Sequence, residues 1–159
     1  MSISSRVLLN TKPQSRDTAG EEIVRTMPFP VDIKYIIETE QELGLVFPDS
    51  FKIKMTQENG GELMTEDDDW QLFPFFDKSD NKRMSRTCNH IVLETKQSRS
   101  WDNFPTNGIA IASNGSGDNL ILLPFDNDSK KLREEIYLWQ HETGNIQQVA
   151  KAINELTEE

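Results

Sequence analysis

The residues that could perform nucleophilic chemistry in this chain are its single cysteine, Cys88, and a histidine two positions later, His90. A cysteine nucleophile needs a base within hydrogen-bond reach and a third group that orients this base. Side chains two positions apart on a helix point in different directions, so the spacing does not bring the thiol and the imidazole together. We therefore expect a thiol without a catalytic role.

A glycine-rich segment, Gly115-Ser116-Gly117, has the composition of a phosphate-binding loop but not its spacing. A dinucleotide fingerprint would place a further glycine at position 120, which is Leu120, and a P-loop would continue into Gly-Lys-Ser/Thr. Ser116 is not a hydrolase nucleophile either, because the glycines flank it directly instead of lying two residues away. The segment lies between two predicted strands, so we interpret it as a hairpin turn.

The candidate metal ligands also lack the required pattern. Two histidines and one cysteine are too few and too scattered for a zinc site. The segment Asp126-Asn127-Asp128 is similar to the start of a calcium loop, but Lys130 and Lys131 occupy the next ligand position and the required glycine position. We predict no cofactor, no metal and no enzymatic activity. A catalytic pair of carboxylates remains an open alternative, because the sequence singles out no pair.

The charge balance bears on the kind of partner. The chain has 159 residues, with 17 Lys and Arg against 27 Asp and Glu, which gives a net charge of −10. Such a charge repels nucleic acid and anionic membranes, since phosphate binding needs clustered Lys and Arg. It would steer a basic protein toward this surface. The alternative is that the acidity serves only solubility.

The sequence also gives expectations about the compartment. A lone Cys88 cannot form an intrachain disulfide, which is typical of a reducing environment. The apolar run Val7-Leu8-Leu9 is shorter than the roughly 7–15 residues of a signal-peptide core. No run approaches the roughly 20 apolar residues of a membrane span. We expect a cytoplasmic protein.

The length predicts one domain, preceded by a polar N-terminal arm over residues 1–27 and covering residues 28–159. A first helix is predicted from Asp32, its N-cap, to Leu43, with Gly44 as the left-handed residue after the last turn. Its expected core face, from three- and four-residue spacing, consists of Ile33, Ile36, Ile37 and Leu43.

A second helix is predicted over Asp49–Glu58, with Pro48 in its first turn and Phe51 and Met55 facing the core. The sequence Asn59-Gly60-Gly61 would end it. The later elements are expected to be strands near Trp70–Phe73, Gly108–Ala112, Asn119–Leu123 and Ile136–Gln140, a middle helix over Arg86–Ser98, and a C-terminal helix after Asn145 with the stripe Ile146, Val149, Ala150, Ile153 and Leu156. This order predicts an α+β fold with a mostly antiparallel sheet and N-terminal, middle and C-terminal helices.

A run of four carboxylates, Glu66, Asp67, Asp68 and Asp69, directly precedes Trp70. An aromatic residue surrounded by charge is a frequent centre of binding energy in protein interfaces, so we predict partner binding here. The alternative is that Trp70 belongs to the core and the carboxylates lie on a solvated loop.

The order of several short motifs resembles the SUKH superfamily. A Glu-bearing helix is followed by Gly44, then by Phe47-Pro48, a helix that carries Phe51, and the stop Asn59-Gly60-Gly61. Further motif residues follow along the chain: Gly117, Asp118, Trp139, His141, Glu142 and Gly144.

The resemblance implies a non-enzymatic α+β domain that binds another protein. Bacterial members of the superfamily look like immunity proteins that neutralise toxins, often nucleases, and fungal relatives look like regulatory scaffolds for cell-wall assembly. We therefore expect an immunity-type inhibitor of a basic toxin domain, with a regulatory scaffold as the alternative from the same family. An enzyme or small-ligand protein is the third hypothesis. The motif residues are mostly turn and core formers, so they report the fold and not the interface.

Overall fold

The computed structural model describes residues 28–126 and 129–156, and the predicted arm over residues 1–27 lies outside them. The described residues form four α-helices, six strands and one short 3-10 turn. In chain order these are α1 (Ile33–Leu43), α2 (Asp49–Gln57), β1 (Gly61–Met64), β2 (Asp69–Leu72), α3 (Asn81–Arg86), α4 (Ile91–Ser98), β3 (Ile109–Ser113), β4 (Asn119–Leu122), β5 (Ile136–Trp139), β6 (Ile146–Ala150) and the turn Ile153–Glu155.

Within the described residues, the six strands form one curled sheet in the order β1-β2-β3-β4-β5-β6. Every neighbouring pair is antiparallel, and α3 and α4 lie in the connection between β2 and β3. Helix α4 packs against β3, and α2 packs against the 3-10 turn. The predicted α+β class with an antiparallel sheet is confirmed.

The first two helices begin and end where local chemistry predicts. The Asp32 side chain accepts a hydrogen bond from the Lys34 N–H at 3.0 Å, and Gly44 adopts a left-handed φ of 72° after α1. Residues with a side chain rarely adopt this conformation, so glycine favours the stop. Pro48 is the N-cap of α2, one position before the first turn in which we expected it.

The buried face of α1 differs from the prediction. Ile36 is fully buried, but Ile33 and Ile37 are 46% and 44% exposed. Tyr35 and Thr39 occupy the buried face instead. Thr39 can be buried because its hydroxyl donates to the Tyr35 carbonyl at 2.9 Å.

The prediction of a single middle helix over Arg86–Ser98 is wrong in its boundaries. The structure has two helices in this region, because α3 ends at Arg86 and α4 begins only at Ile91. The Thr87 hydroxyl donates to the Arg83 carbonyl at 2.8 Å and accepts from the Asp77 N–H at 3.0 Å, which ends α3. His90 then caps α4, where its Nδ1 accepts the Leu93 N–H at 3.3 Å. Burial lowers the pKa of His90, which favours the neutral imidazole that this cap requires.

The predicted C-terminal helix is wrong. Residues Ile146–Ala150 form β6, which pairs with β5, and only a 3-10 turn follows. The stripe that suggested a helix is only partly buried, since Ile146 is 41% exposed. Asn145 does not cap a helix, because its carbonyl accepts the Gln140 N–H at 2.9 Å and closes the β5–β6 hairpin.

Candidate protein-binding groove

The acidic run lies in the turn of the β1–β2 hairpin. Met64 and Asp69 are the last paired residues of the two strands. The Thr65 N–H donates to the Asp68 carbonyl at 2.9 Å, which closes the turn. Beneath it, the Trp70 indole N–H donates to the Thr65 hydroxyl at 3.0 Å. The carboxylates are therefore presented on a turn that backbone and side-chain hydrogen bonds both hold in place.

Three of the four predicted carboxylates face one groove. Glu66, Asp67 and Asp68 are exposed and line it together with Trp70. One Asp68 oxygen also accepts a hydrogen bond from the Asn114 amide at 2.9 Å, which ties the acidic turn to the β3–β4 turn.

The remaining two predicted residues are placed differently from that group. Asp69 is exposed on a neighbouring depression of the surface, together with Glu62 and Gln71. Trp70 is only 2% exposed and belongs to the core. The indole thus supports the acidic turn from below, in line with the core alternative for this residue.

The groove has a volume of about 430 Å³, and both ends of the curled sheet contribute to it. One wall is the β1–β2 turn, and the other comes from β5, β6 and the segment after β6. Apolar side chains also line the groove, and Gln147 and Gln148 add hydrogen-bonding groups. The apolar lining residues other than Trp70 are Met64, Leu138, Val149 and Leu156.

A fourth carboxylate, Glu155, joins the groove from the 3-10 turn. Its position is set by backbone contacts: the Met64 N–H donates to the Leu156 carbonyl at 3.3 Å, and the Lys151 N–H donates to the Glu155 side chain at 2.8 Å. Sequence reasoning missed this wall because it assigned these residues to a helix. The short turn-rich link at 141–145 between two apolar segments is the signal that could have indicated a hairpin.

The motif residue Asn59 acts as a buried clamp near the other end of β1. Its side-chain amide donates to the Phe75 carbonyl and accepts the Phe75 N–H, both at 2.8 Å. Its own N–H donates to the Phe29 carbonyl at 2.9 Å. One residue therefore joins the segment before α1 to the segment after β2.

Gly60 links Asn59 to Gly61, the first residue of β1, and the Lys54 side chain contacts this link. The Lys54 ammonium donates to the Glu58 carbonyl at 3.0 Å and also to the Gly60 carbonyl. Burial lowers the pKa of Lys54, and the nearby Glu58 carboxylate acts in the opposite direction.

A second motif cluster joins the β3–β4 and β5–β6 turns. One Asp118 oxygen accepts a hydrogen bond from the His141 backbone N–H at 3.0 Å. The same oxygen is hydrogen-bonded to the His141 Nδ1 at 2.7 Å. Gly117 lies directly against the imidazole, since an added Cβ would be 2.9 Å from the His141 Cε1. A side chain at position 117 would therefore displace this pair.

Trp139 completes that cluster from within the core. It is fully buried, and its indole N–H donates to the Asn103 carbonyl at 3.1 Å. The ring packs edge-to-face on Phe104, with centroids 4.9 Å apart. Gly144, in the β5–β6 turn, lies close to the Asn103 side chain. The motif residues thus hold turns together around the sheet.

Groups suited to metal chemistry do not converge in the part of the chain that the structure describes. No set of three or more His, Cys, Asp or Glu side chains there could hold a metal ion. Cys88 is exposed, and the His90 ring stacks on Phe76 with centroids 4.7 Å apart. Among these residues, carboxylates gather instead in the acidic groove, where Glu66, Asp67, Asp68 and Glu155 lie together with apolar side chains.

Comparison with known protein families matches residues 30–159 to the SMI1 / KNR4 family (SUKH-1). The chain belongs to this family. The resemblance inferred from the short motifs is therefore confirmed. Searches of curated proteins and of solved structures gave no significant match.

Membership in SUKH-1 suggests an immunity or regulatory domain that interacts with other proteins. The match includes both motif clusters and both walls of the groove. None of the helices within the described ranges is long and apolar enough to cross a membrane.

Replacing Asp118 by alanine in this SUKH-1 domain is expected to lower the unfolding free energy by about 1–2 kcal/mol at neutral pH, because the hydrogen bonds to His141 are lost. Partial burial opposes ionisation, but the hydrogen bonds from His141 prevail and lower the pKa of Asp118 below its ordinary value of 3.8. A carboxyl whose pKa is lowered by folding stabilises the protein above its unfolded-state pKa and loses this contribution as the pH falls through its folded-state pKa. The difference between wild type and variant should therefore shrink as the pH falls below 3.8.

Urea unfolding over a pH series measures this difference. As a control, Asp102→Ala removes an exposed carboxylate on another loop and should leave the pH dependence unchanged. A constant difference between wild type and Asp118→Ala down to strongly acidic pH would contradict the assignment.

Proposed function

We propose that this SUKH-1 domain is a non-enzymatic protein-binding domain that acts in the cytoplasm as an immunity-type inhibitor of a basic toxin domain, such as a nuclease. The observation that carries the proposal is the groove, which is lined by Glu66, Asp67, Asp68 and Glu155 together with apolar side chains. No Lys or Arg is among the described residues that line it. Family membership agrees with an immunity or regulatory role.

The arrangement would inhibit such a toxin by occupying its substrate surface. A nuclease binds phosphates with clustered Lys and Arg, and carboxylates presented on a fixed turn are complementary to such a cluster. The net charge of −10 would speed the encounter at low ionic strength. Burial of Met64, Leu138 and Val149 would then contribute affinity that does not depend on salt.

The test first identifies the partner and then measures how substitutions in the groove change the partner's affinity. The full chain serves as bait in its native host, with the product of the neighbouring gene included in a catalytically inactive form. Calorimetry then compares the partner's affinity for wild type and for Glu66→Lys/Asp67→Lys/Asp68→Lys. We expect at least tenfold weaker binding at low salt, about 1.4 kcal/mol or more, because three attractive charges become repulsive.

The matched control is Glu42→Lys/Asp102→Lys/Glu134→Lys, which changes the net charge equally at exposed positions outside the groove. It should reduce the association rate moderately and leave the dissociation rate close to that of wild type. Asp69→Lys should have a smaller effect than the triple groove variant, since Asp69 lies on the neighbouring depression. Equal affinities of the groove and control variants would contradict the proposed site.

A second candidate is a regulatory module that binds an extended segment of a host protein. The observation that favours it is β6, which is the last strand of the sheet and also lines the groove. An edge strand can accept a peptide as an additional strand. A partner that is neither toxic nor basic, and whose binding is insensitive to salt, would favour this function over inhibition.

A further inference from the structure

Two strands form the outer edges of the sheet in the part of the chain that the structure describes, β1 and β6. The edge of β1 is partly closed, since the Met64 N–H donates to the Leu156 carbonyl at 3.3 Å. Strand β6 pairs with β5 along one side only. Its residues, Ile146–Ala150, include neither a charged residue nor a proline, the residue types with which proteins usually block an exposed edge. This edge is therefore open to a further strand.

The register shows which backbone groups of β6 point outward. The Gln140 N–H donates across the β5–β6 turn at 2.9 Å, and Gln147 pairs with Leu138 two positions away on each strand. In an antiparallel pair the hydrogen-bonded positions recur at every second residue, so Gln147 bonds to β5. The N–H and C=O groups of Ile146 and Gln148 point away from β5. No hydrogen bond to these outward groups comes from any other residue that the structure describes.

The acidic groove meets this open edge. Leu138 and Gln147 lie side by side in the register and therefore share one face of the sheet, and both line the groove. Gln148 also lines it, although consecutive side chains of a strand point to opposite faces. A groove that contacts consecutive residues of a strand borders the edge of this strand and not only one face. The outward N–H and C=O groups of Gln148 therefore lie beside the groove.

A β-bulge limits the open edge at its other end. Tyr137 pairs with Gln148 and Ile136 pairs with Ala150, so Val149 is an extra residue in β6. Bulges bend a strand and change the direction of its side chains, and the Val149 side chain lines the groove. An added strand can pair regularly up to this bulge, where Val149 gives it an apolar contact.

Every second side chain of such an added strand would point into the groove. The groove combines the carboxylates of the acidic turn and of Glu155 with apolar side chains. Lysine and arginine match both features, because an aliphatic stem carries their charge. On the opposite face the neighbour in β6 is Ile146, which is 41% exposed and suits a β-branched side chain beside it. This chemistry favours a segment that alternates basic and β-branched residues.

We propose that the partner's chain enters the groove as an extended segment with Lys or Arg at every second position, and that it pairs with the outward backbone groups of Ile146 and Gln148. This inference rests on the proposed function, because it takes the acidic groove as the partner site, and it adds how the partner is held. Backbone pairing fixes the register of the segment, and the carboxylates select its charge. The β6 edge is thus assigned to the basic partner and not to a non-basic host segment.

The first test measures amide hydrogen exchange in the full chain by NMR, with the peptide Lys-Val-Lys-Val-Lys-Val as the probe. Without peptide, the Ile146 and Gln148 amides should exchange about tenfold or more faster than the Gln147 amide, which is bonded to β5. Saturating peptide should slow the exchange of Ile146 and Gln148 by about tenfold or more. Slow exchange of the Gln148 amide in the free chain would overturn the proposal, since another segment of this chain or a second copy would then cover the edge.

Peptides that are N-methylated on alternate residues test the backbone pairing separately from charge, with anisotropy of labelled forms as the readout. An added strand presents its amides alternately to β6 and to solvent. Methylation of one set, all valines or all lysines, should therefore weaken binding about tenfold or more, and methylation of the other set should change it by no more than about twofold.

Variants at one position of β6 test the same pairing from the protein side. Gln148→Pro removes an outward N–H and should weaken binding of the unmethylated peptide about tenfold. Its matched control, Gln148→Ala, keeps this N–H and should bind the peptide within about threefold of wild type. If Gln148→Pro fails to fold, the two methylated peptides still decide the question.

The groove variant Glu66→Lys/Asp67→Lys/Asp68→Lys separates this inference from the proposed function. It should weaken binding of all three peptides, because the attractive charges become repulsive. Unchanged binding to this variant would overturn the acidic groove as the peptide site and the strand pairing with it. Equal binding of the two methylated peptides would overturn the strand pairing alone, and absence of saturable binding of the unmethylated peptide would also overturn it.

Discussion

Replacing Trp139 by alanine is expected to lower the unfolding free energy by about 3–5 kcal/mol. The side chain is fully buried, packs edge-to-face on Phe104, and donates its indole N–H to the Asn103 carbonyl. The variant would leave a large cavity and a backbone carbonyl without its partner. Chemical unfolding followed by circular dichroism measures the change.

Two further variants separate the contributions of Trp139. Trp139→Phe keeps an aromatic ring and removes the hydrogen bond to Asn103, so its effect should be smaller than that of alanine. Trp101→Ala removes a neighbouring tryptophan that is 49% exposed, and its cost should be about 1 kcal/mol or less. A greater loss from Trp101→Ala than from Trp139→Ala would contradict the placement of Trp139 at the centre of this cluster.

Replacing Asn59 by alanine is expected to lower the unfolding free energy by about 2–4 kcal/mol, although Asn59 is polar and the substitution is small. Its amide makes both hydrogen bonds to the backbone of Phe75 and is only 5% exposed. Alanine would leave a backbone N–H and a carbonyl without partners where water has little access, which is costlier than the loss of exposed bonds. Thermal unfolding should show a melting temperature lower by roughly 10 °C.

Asn81→Ala is the matched control, because Asn81 is exposed in the first turn of α3. Its effect on the unfolding free energy should remain within about 0.5 kcal/mol. A change at Asn59 no larger than that at Asn81 would show that the clamp contributes little.

Elements that depend on neighbouring residues could be predicted from the sequence. Asp32 caps α1 with its own side chain, and Gly44 supplies the left-handed conformation that ends it. The glycines at 115 and 117 adopt positive φ in the β3–β4 turn, and the flanking strands lie within one residue of their predicted positions. These choices follow from backbone preferences and side chains within a few positions, so no distant contact is needed.

The C-terminal region shows where such reasoning fails. The residues from Ile146 to Leu156 match helical spacing, but the backbone of Ile146–Ala150 pairs with β5. Pairing with an existing sheet outweighs a local helical preference, because each strand hydrogen bond is formed with a partner already in place. The same error concealed Glu155 and one wall of the groove.

The sequence by itself determined the family, the α+β class, the first two helices, the main turns and the acidic run, because each rests on local spacing and composition. Tertiary structure alone decided that Trp70 lies in the core, that Asp69 lines the neighbouring depression instead of the groove, and that Asn59 clamps Phe75. It also brought residues 64–70 and 147–156 together across the groove. These outcomes depend on which distant segments pair and pack, and no local preference encodes that choice.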